Sequence, residues 1–330
     1  MPFLSFLKHL KNQKQLGVFL LILGLLLGSA GTYWFENTKV SSSPIQEVRV
    51  NSNAFTFTNP LLFYKSSSDP TYDYLKNDLS SYIDKVKKDG NATDVSVYFR
   101  DMDSGTWTGI NETEPYEPAS MLKVTLMIAY FKRSVSDPAI LSKKLYYTPT
   151  NHAEEHYRAK DSLPAGYYSV NDLITYMIKY SDNDALQALS TADDGHTAEV
   201  FNLFQLPTPA TGTTTDYMSA RSYSRVFRIL YDSTYLPWDL SEKALKILSN
   251  TDFALGLVDG VPQQVVVSHK FGERTIVARD GSVAARELHD CGIVYKTQQP
   301  YFLCVMTRGS DFAKQQKIIF DISQKTFNDL

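Results

Sequence analysis

The chain has 330 residues, which is enough for one large domain or two small ones. Its hydrophobic fraction of 43% is ordinary for a globular protein, and its formal net charge of -3 at pH 7 is small. No basic block suggests a nucleic-acid partner, and no acidic tail suggests a disordered one.

The N-terminal segment predicts a membrane anchor. Residues 1–15 form a basic tail, and residues 16–34 follow without a single charge. A stretch of this length crosses a bilayer, and Tyr33 and Trp34 suit the far interface. Because basic residues stay on the cytoplasmic side, we expect a single-pass protein whose later residues are extracytoplasmic. A cleaved signal peptide is the alternative, since Gly28-Ser-Ala30 resembles a cleavage site, and it too would export the remainder.

The pattern after the predicted anchor indicates a linker and then one α+β domain. Residues 35–60 are rich in Ser, Asn and Thr and predict the linker. In residues 61–330, a helix and a strand pair come first, helical patterns dominate from about 118 to 254, and strands and a helix end the chain. This order predicts an antiparallel sheet built from both termini, an all-helical insert and a cleft between them.

The two cysteines of the chain, Cys291 and Cys304, flank a predicted hairpin turn at residues 296–300. We therefore expect them to face each other across two strands. Either a disulfide or two buried, reduced cysteines would fit this arrangement.

A buried helix near Ser120 carries the first candidate for catalysis. Residues 121–131 are apolar almost all round, apart from Lys123 and the small Thr125, which predicts a helix buried on every side. Pro118 suits the first turn, so Ser120 should lie where free N–H groups favour an oxyanion. Lys123 lies one turn further on the same face, and burial should lower its pKa towards that of a general base. A hydroxyl beside a desolvated amine is a nucleophile with its activator.

Two later motifs add to this pair. Ser181-Asp-Asn183 alone predicts only a helix terminus, and Lys270-Phe-Gly272 alone predicts a charged strand end before a glycine bend. Their order and spacing after Ser-x-x-Lys resemble the serine β-lactamase and penicillin-binding protein superfamily, with class A β-lactamases nearest. The resemblance covers most of residues 65–330 and implies the β-lactamase/DD-peptidase-like fold.

The resemblance implies catalytic roles for four residues. Ser120 would be the nucleophile that forms the acyl-enzyme, and Lys123 would help to remove its proton. Ser181 would relay a proton to the leaving nitrogen. Lys270 would supply positive charge for the substrate carboxylate and for the Ser181 hydroxyl. No metal or organic cofactor is implied.

The resemblance also implies substrate-binding positions. Asn183 would hydrogen-bond the substrate amide. The backbone N–H groups of Ser120 and of Glu273, the residue after Gly272, would form the oxyanion hole. Arg274 is one candidate for a further cation that holds a substrate carboxylate.

Two departures from the class A pattern affect the expected chemistry. The interval from Asn183 to Thr213 is short and lacks the Glu-x-x-x-Asn pattern, and its Glu199 falls in a predicted helix. Without a glutamate to activate water, deacylation should slow more than acylation. Phe271 stands where the family usually has Thr or Ser, which removes one hydrogen bond to a charged group, worth about 1.5–3 kcal/mol.

A competing motif suggests zinc. His152-Ala-Glu-Glu155-His156 fits the inverted zinc-protease pattern His-x-x-Glu-His, in which two histidines share a metal and the glutamate acts as base. The segment is poor in apolar residues and follows Pro149. A solvated polar loop near the cleft is therefore the preferred interpretation, and no metal is expected.

Three functions fit these patterns. The first is a membrane-anchored extracytoplasmic serine hydrolase that forms an acyl-enzyme with β-lactams through Ser120 and deacylates slowly. The second is a D-alanyl-D-alanine peptidase or transpeptidase-like enzyme that acts on cell-wall peptides. The third is a catalytically weak, anchored binding module that retains the fold.

Overall fold

The computed structural model describes residues 48–49, 57–58, 61–63, 71–150, 156–157, 163–209 and 216–330. The predicted basic tail and anchor of residues 1–34 lie outside these residues, as do most of the predicted linker, His152, Glu155 and Thr213. Within the described part of the chain, no helix is both long and apolar enough to span a bilayer.

Nine strands and eight α-helices are formed by the described residues. The strands are β1 (Val48–Arg49), β2 (Leu61–Phe63), β3 (Asp94–Asp101), β4 (Trp107–Ile110), β5 (Lys144–Tyr147), β6 (Gly166–Ser169), β7 (Val267–Val277), β8 (Val283–Val294) and β9 (Tyr301–Gly309). The helices are α1 (Asp73–Lys88), α2 (Lys123–Ser136), α3 (Val170–Lys179), α4 (Asn183–Thr191), α5 (His196–Leu203), α6 (Ala220–Tyr231), α7 (Trp238–Leu248) and α8 (Phe312–Asp329). Short 3₁₀ helices lie at Ala119–Leu122 and Pro138–Ser142.

Both ends of the domain contribute to one antiparallel sheet, as the sequence predicts. Its strand order is β4-β3-β9-β8-β7, so the N-terminal hairpin pairs with the C-terminal strands through β3 and β9. One apolar cluster packs α1 and α8 against the sheet, with contributions from Leu75, Leu79, Ile83, Val95, Phe99, Leu303, Ile318, Ile319 and Ile322. The confirmed architecture is the α+β class with a helical insert.

The helical insert is built around α2. Residues 123–131 are all buried, which confirms the prediction of a helix enclosed on every side. Burying each large apolar side chain of this kind stabilises the fold by about 1.5–3 kcal/mol. The apolar cluster around α2 includes Met127, Phe131, Leu173, Met177, Leu189, Val226, Phe227 and Leu245. Lys123 is therefore placed inside a packed core at the edge of the insert.

Two local predictions need correction. Pro118 does not lie in the first turn of α2: it precedes the 3₁₀ turn Ala119–Leu122, and α2 begins only at Lys123. The late strand does not end at Lys270 with a bend at Gly272. The pairing of β7 with β8 runs from Val267 to Val277, so the Lys270-Phe-Gly272 motif lies inside a long edge strand.

Cys291 and Cys304 form a disulfide. They are direct partners on β8 and β9, and both side chains are fully buried. The structure therefore confirms the predicted hairpin. The sequence allowed either a disulfide or two reduced cysteines, and the structure has the disulfide.

Candidate active site

Ser120 lies in the 3₁₀ turn between the sheet and α2. Ala119, just before it, has a φ of 47°, a left-handed conformation that residues other than glycine rarely adopt. Gly272 of β7 packs against this turn so closely that a Cβ there would lie 2.6 Å from the Pro118 carbonyl oxygen. A side chain at position 272 would therefore force the nucleophile turn away from β7.

Lys123 makes the hydrogen bonds that join the first two motifs. Its Nζ lies 2.9 Å from Ser120 Oγ and 3.1 Å from Ser181 Oγ. The same nitrogen lies 2.5 Å from the Ser181 carbonyl oxygen and 2.6 Å from Asn183 Oδ1. Only 1% of Lys123 is exposed, so these contacts occur out of water, where polar interactions are strong.

The partners of Lys123 limit how its hydrogens can be used. The Ser181 carbonyl oxygen and Asn183 Oδ1 only accept hydrogen bonds, so two N–H groups of Lys123 point to them. In the neutral amine, these two groups are all the hydrogens that Nζ has. Its lone pair is then left for a serine hydroxyl, and Ser120 Oγ at 2.9 Å is within reach.

The second motif is both a helix start and part of the site. Asp182 caps α4 by accepting a hydrogen bond from Ala185 N–H at 2.6 Å. Its other oxygen accepts from the Tyr147 hydroxyl at 2.9 Å, which ties the motif to β5. Ser181 has a φ of 55°. Such a backbone conformation persists where the surrounding contacts enforce it, as the cap and Lys123 do here.

Lys270 approaches the same site from β7. It is fully buried, and its Nζ lies 3.0 Å from Ser181 Oγ and 2.9 Å from the Phe271 carbonyl oxygen. Burial holds the pKa of Lys270 well below its usual range, and the positive charge of Lys123 lowers that pKa further. The carboxylates of Asp290 and Glu273 act in the opposite direction.

Phe271 and Glu273 alternate along β7 with Gly272, which faces the Ser120 turn. The Phe271 ring stacks on Phe253 with centroids 4.2 Å apart, and Lys270 Nζ lies 4.1 Å from the centroid of the Phe271 ring. One carboxylate oxygen of Glu273 accepts the backbone N–H groups of His156 and Tyr157, each at 2.9 Å. Residues 156–157 thus reach β7, and the side chain at position 271 is an aromatic ring that carries no hydroxyl.

His156 is the one histidine of the predicted zinc pattern that the structure describes. Its ring stacks on Phe312 of α8 with centroids 4.8 Å apart. Within the described ranges, no cluster of three or more His, Cys, Asp or Glu residues is arranged to hold a metal ion.

The predicted site residues fall into two groups. Hydrogen bonds connect Ser120, Lys123, Ser181, Asn183 and Lys270, while Gly272 and Glu273 lie on the strand segment that packs against the Ser120 turn. Sequence reasoning missed the contact between Arg274 Nη1 and Glu117 Oε2 at 2.8 Å. No pattern announces this pair, because its members are 157 residues apart.

Comparison with known proteins identifies the family. Residues 77–330 match the family model described as the Beta-lactamase enzyme family. The match extends over more than half of the chain, so the chain belongs to that family, and its class is that of serine β-lactamase-like and penicillin-binding acyl hydrolases. Among curated proteins, none matches the sequence.

Solved structures show the same fold at low sequence identity. PBP-A is 18% identical with a TM-score of 0.64, and the match covers 78% of this chain and 97% of that one. The TLA-3 extended-spectrum beta-lactamase is 21% identical with a TM-score of 0.66, covering 78% and 98%. A class A beta-lactamase from Mycobacterium abscessus is 18% identical with a TM-score of 0.61, covering 77% and 98%. The chain therefore has the β-lactamase/DD-peptidase-like fold.

Proposed function

We propose that this chain is a membrane-anchored extracytoplasmic serine hydrolase that forms an acyl-enzyme with β-lactams through Ser120 and releases the acyl group slowly. The observation that carries the proposal is the 2.9 Å contact between Lys123 Nζ and Ser120 Oγ in a buried site. Membership of the beta-lactamase enzyme family supports acyl transfer as the reaction class.

Acylation follows from the contacts around Lys123. The neutral amine accepts the Ser120 proton while Ser120 Oγ attacks the lactam carbonyl carbon. The N–H groups of Ser120 and Glu273 stabilise the negative charge that develops on the carbonyl oxygen. The C–N bond then breaks, and the nitrogen takes a proton from the Ser181 hydroxyl, which Lys123 resupplies across 3.1 Å.

Lys270 and Asn183 position the substrate in this proposal. The Lys270 ammonium attracts the substrate carboxylate, and its contact with Ser181 Oγ at 3.0 Å favours release of the hydroxyl proton. Asn183 Oδ1 accepts from Lys123 at 2.6 Å, so its amide group is oriented at the cleft. An aromatic ring at position 271 supplies no hydroxyl to the carboxylate.

Slow deacylation is inferred from the interval between Asn183 and Thr213. Its single glutamate, Glu199, lies on α5, with 68% of its side chain exposed and paired with His196 at 3.5 Å. This is a surface position and not that of a buried general base. In support, a mutant of PBP-A, which shares this fold, was solved as an acyl-enzyme complex with penicillin G.

The membrane anchor is proposed from the uncharged residues 16–34 and the preceding basic tail. Membrane fractions of cells expressing the full chain test it. An anchored protein stays in the pellet after alkaline carbonate washing, and protease added outside intact cells degrades the catalytic domain. Release by the wash, or a mature protein that begins after residue 34, would contradict an uncleaved anchor.

Turnover of a chromogenic cephalosporin tests the proposed reaction. We expect a burst of about one product per enzyme followed by a slow steady rate, and no burst with Ser120→Ala. Fast steady turnover would identify an efficient β-lactamase.

The short interval before Thr213 also fits a D-alanyl-D-alanine peptidase, which release of D-alanine from a cell-wall peptide would reveal. Failure of every acylating probe to label Ser120 would leave the binding module.

A further inference from the structure

Two buried side chains of β8 hold the backbone of Glu117, three residues before Ser120. Glu287 Oε2 accepts the Glu117 N–H at 3.3 Å, and His289 Nε2 lies 3.1 Å from the Glu117 carbonyl oxygen. Both side chains are fully buried. Burying ionisable groups is costly unless they are paired, and the proposed reaction gives neither residue a chemical role.

The neighbours of His289 fix which of its nitrogens carries hydrogen. The Thr307 N–H donates to His289 Nδ1 at 3.3 Å, so Nδ1 must be an acceptor. The Glu117 carbonyl oxygen can only accept, so Nε2 must be the donor. The tautomer with hydrogen on Nε2 satisfies both neighbours, and the ring therefore bridges β9 and the segment before the nucleophile.

Glu287 extends the same cluster to Arg308 of β9 and to Asp216. Its Oε1 accepts from Arg308 Nε at 2.8 Å, and Arg308 Nη2 donates to Asp216 at 2.7 Å. Burial works to raise the pKa of Glu287, but the contacts with His289 and Arg308 outweigh it and hold that pKa below its usual value. Glu287 is thus a charged acceptor, which makes a stronger hydrogen bond to Glu117 N–H than a neutral one.

The backbone on both sides of Glu117 is also constrained. Tyr116 exchanges backbone hydrogen bonds with Met218, at 2.9 and 3.0 Å. Ala119 has a left-handed φ of 47°, a strained conformation that survives only where the surroundings enforce it. The bonds from β8 hold the backbone of Glu117, two residues before this strained residue, while Arg274 of β7 contacts the Glu117 side chain. Ser120 follows immediately, so a shift of Glu117 would move its hydroxyl.

We propose that Glu287 and His289 are positioning residues that fix both peptide groups of Glu117 and thereby orient the Ser120 hydroxyl towards Lys123. The inference rests on the proposed function, because it assigns the purpose of the cluster to acylation of Ser120. Neither residue touches the substrate.

Two histidine variants separate positioning from general structure. In His289→Gln the amide nitrogen can occupy the place of Nε2 and donate to the Glu117 carbonyl oxygen. In His289→Asn the shorter chain retains a polar group near Thr307 N–H but cannot reach Glu117. Asp101→Asn is the control for lost stability. Asp101 is a buried carboxylate at the end of β3 that accepts hydrogen bonds from the Tyr72 hydroxyl and from the N–H groups of Asp103 and Ser104, and none of these contacts involves residues 116–123.

The full chain is assayed for the rate of Ser120 labelling by benzylpenicillin and for backbone hydrogen exchange of residues 116–121. We expect His289→Asn to be labelled about 10- to 100-fold more slowly, because a small displacement of a nucleophile has effects of this size. Exchange in residues 116–121 should be faster in this variant. His289→Gln and Asp101→Asn should resemble the unmutated protein in both measurements, even where melting temperatures fall.

Equal labelling and exchange in His289→Asn and the unmutated protein would overturn the positioning role. Equal losses in His289→Asn and His289→Gln would overturn it as well, because the contact with Glu117 would then not be what matters. If benzylpenicillin fails to label the unmutated protein, the proposed function fails, and hydrogen exchange alone decides. Faster exchange in His289→Asn but not in His289→Gln then supports the positioning of Glu117 by His289, and equal exchange in the two variants refutes it.

Discussion

Lys123 and Lys270 approach the same hydroxyl oxygen, with their Nζ atoms 3.1 and 3.0 Å from Ser181 Oγ. Burial lowers the pKa of Lys270, and the charge of protonated Lys123 lowers it further. Acylation needs Lys123 as the neutral amine, so Lys270 is the cation of the pair in the reacting state. An anion bound beside Lys270 would offset the cost of burying that charge, which suits a substrate that carries a carboxylate.

The first prediction concerns the pH dependence of acylation. Because the pKa of Lys270 lies well below its usual value, Lys270 loses its charge as pH rises through that lowered pKa. The second-order rate constant for benzylpenicillin should fall over the same pH range, since this constant reports groups of the free enzyme. Benzylpenicillin methyl ester has no carboxylate and should show a smaller fall, because only the contact of Lys270 with Ser181 Oγ then matters. An identical profile for acid and ester would contradict the role of Lys270 in binding the carboxylate.

Replacing Lys270 should stabilise the protein while impairing the reaction. Burial lowers the pKa of Lys270 in the folded state. At pH values between this lowered pKa and the ordinary one, the unfolded state therefore binds more protons than the folded state. Lys270→Met removes this penalty and should raise the free energy of unfolding by about 1–4 kcal/mol. The gain should be largest at pH values below the lowered pKa and should vanish as pH approaches the ordinary one. Urea unfolding at several pH values measures it, and a destabilised variant at low pH would refute the argument.

A positive charge alone should not replace Lys123, because its role is to accept a proton. Lys123→Met removes the proton acceptor of Ser120 and should slow acylation by about 10²- to 10⁴-fold, the usual contribution of a general base. Lys123→Arg keeps a positive charge but cannot deprotonate, so it should be as slow as the methionine variant. Labelling rates with a fluorescent penicillin compare the two. Recovery of the rate in Lys123→Arg would show that Lys123 supplies charge and not a base.

Replacing Phe271 by threonine should speed acylation but lower the stability of the fold. Phe271→Thr restores a hydroxyl and should speed acylation by penicillins through a hydrogen bond to a charged group, worth about 1.5–3 kcal/mol. The same change removes a buried ring that stacks on Phe253, at a cost of about 3–5 kcal/mol in stability. Phe271→Leu is the control, because it also loses the stacking but gains no hydroxyl. If the leucine variant is acylated as fast as the threonine variant, the hydroxyl is not responsible.

The sequence predicted the parts of the site that depend on local spacing. The apolar run predicted that Lys123 lies on a helix buried on every side, and the spacing of three residues placed Ser120 close to it, although Ser120 lies in the 3₁₀ turn before that helix. The alternation of strands and helices likewise predicted the sheet built from both termini. Both inferences use periodicity, which is a property of short segments.

Long-range pairs in the same site had no such signal. Lys270 and Ser181 are 89 residues apart, and only the resemblance to a family brought them together before the structure did. The contacts of Glu117 with Glu287 and Arg274 cross 170 and 157 residues. The sequence pattern assigned no role to Glu287 or His289, because their burial depends on the position of β8 inside the sheet.

The most direct test of the central claim is the intact mass of the purified protein over several hours after addition of benzylpenicillin, with Ser120→Ala beside it. We expect the unmutated protein to gain the full mass of one penicillin and to keep it, while Ser120→Ala gains nothing. An equal adduct on Ser120→Ala, or no adduct on either protein, would contradict the role of Ser120. An adduct that decays within minutes while hydrolysed penicillin accumulates would contradict slow deacylation.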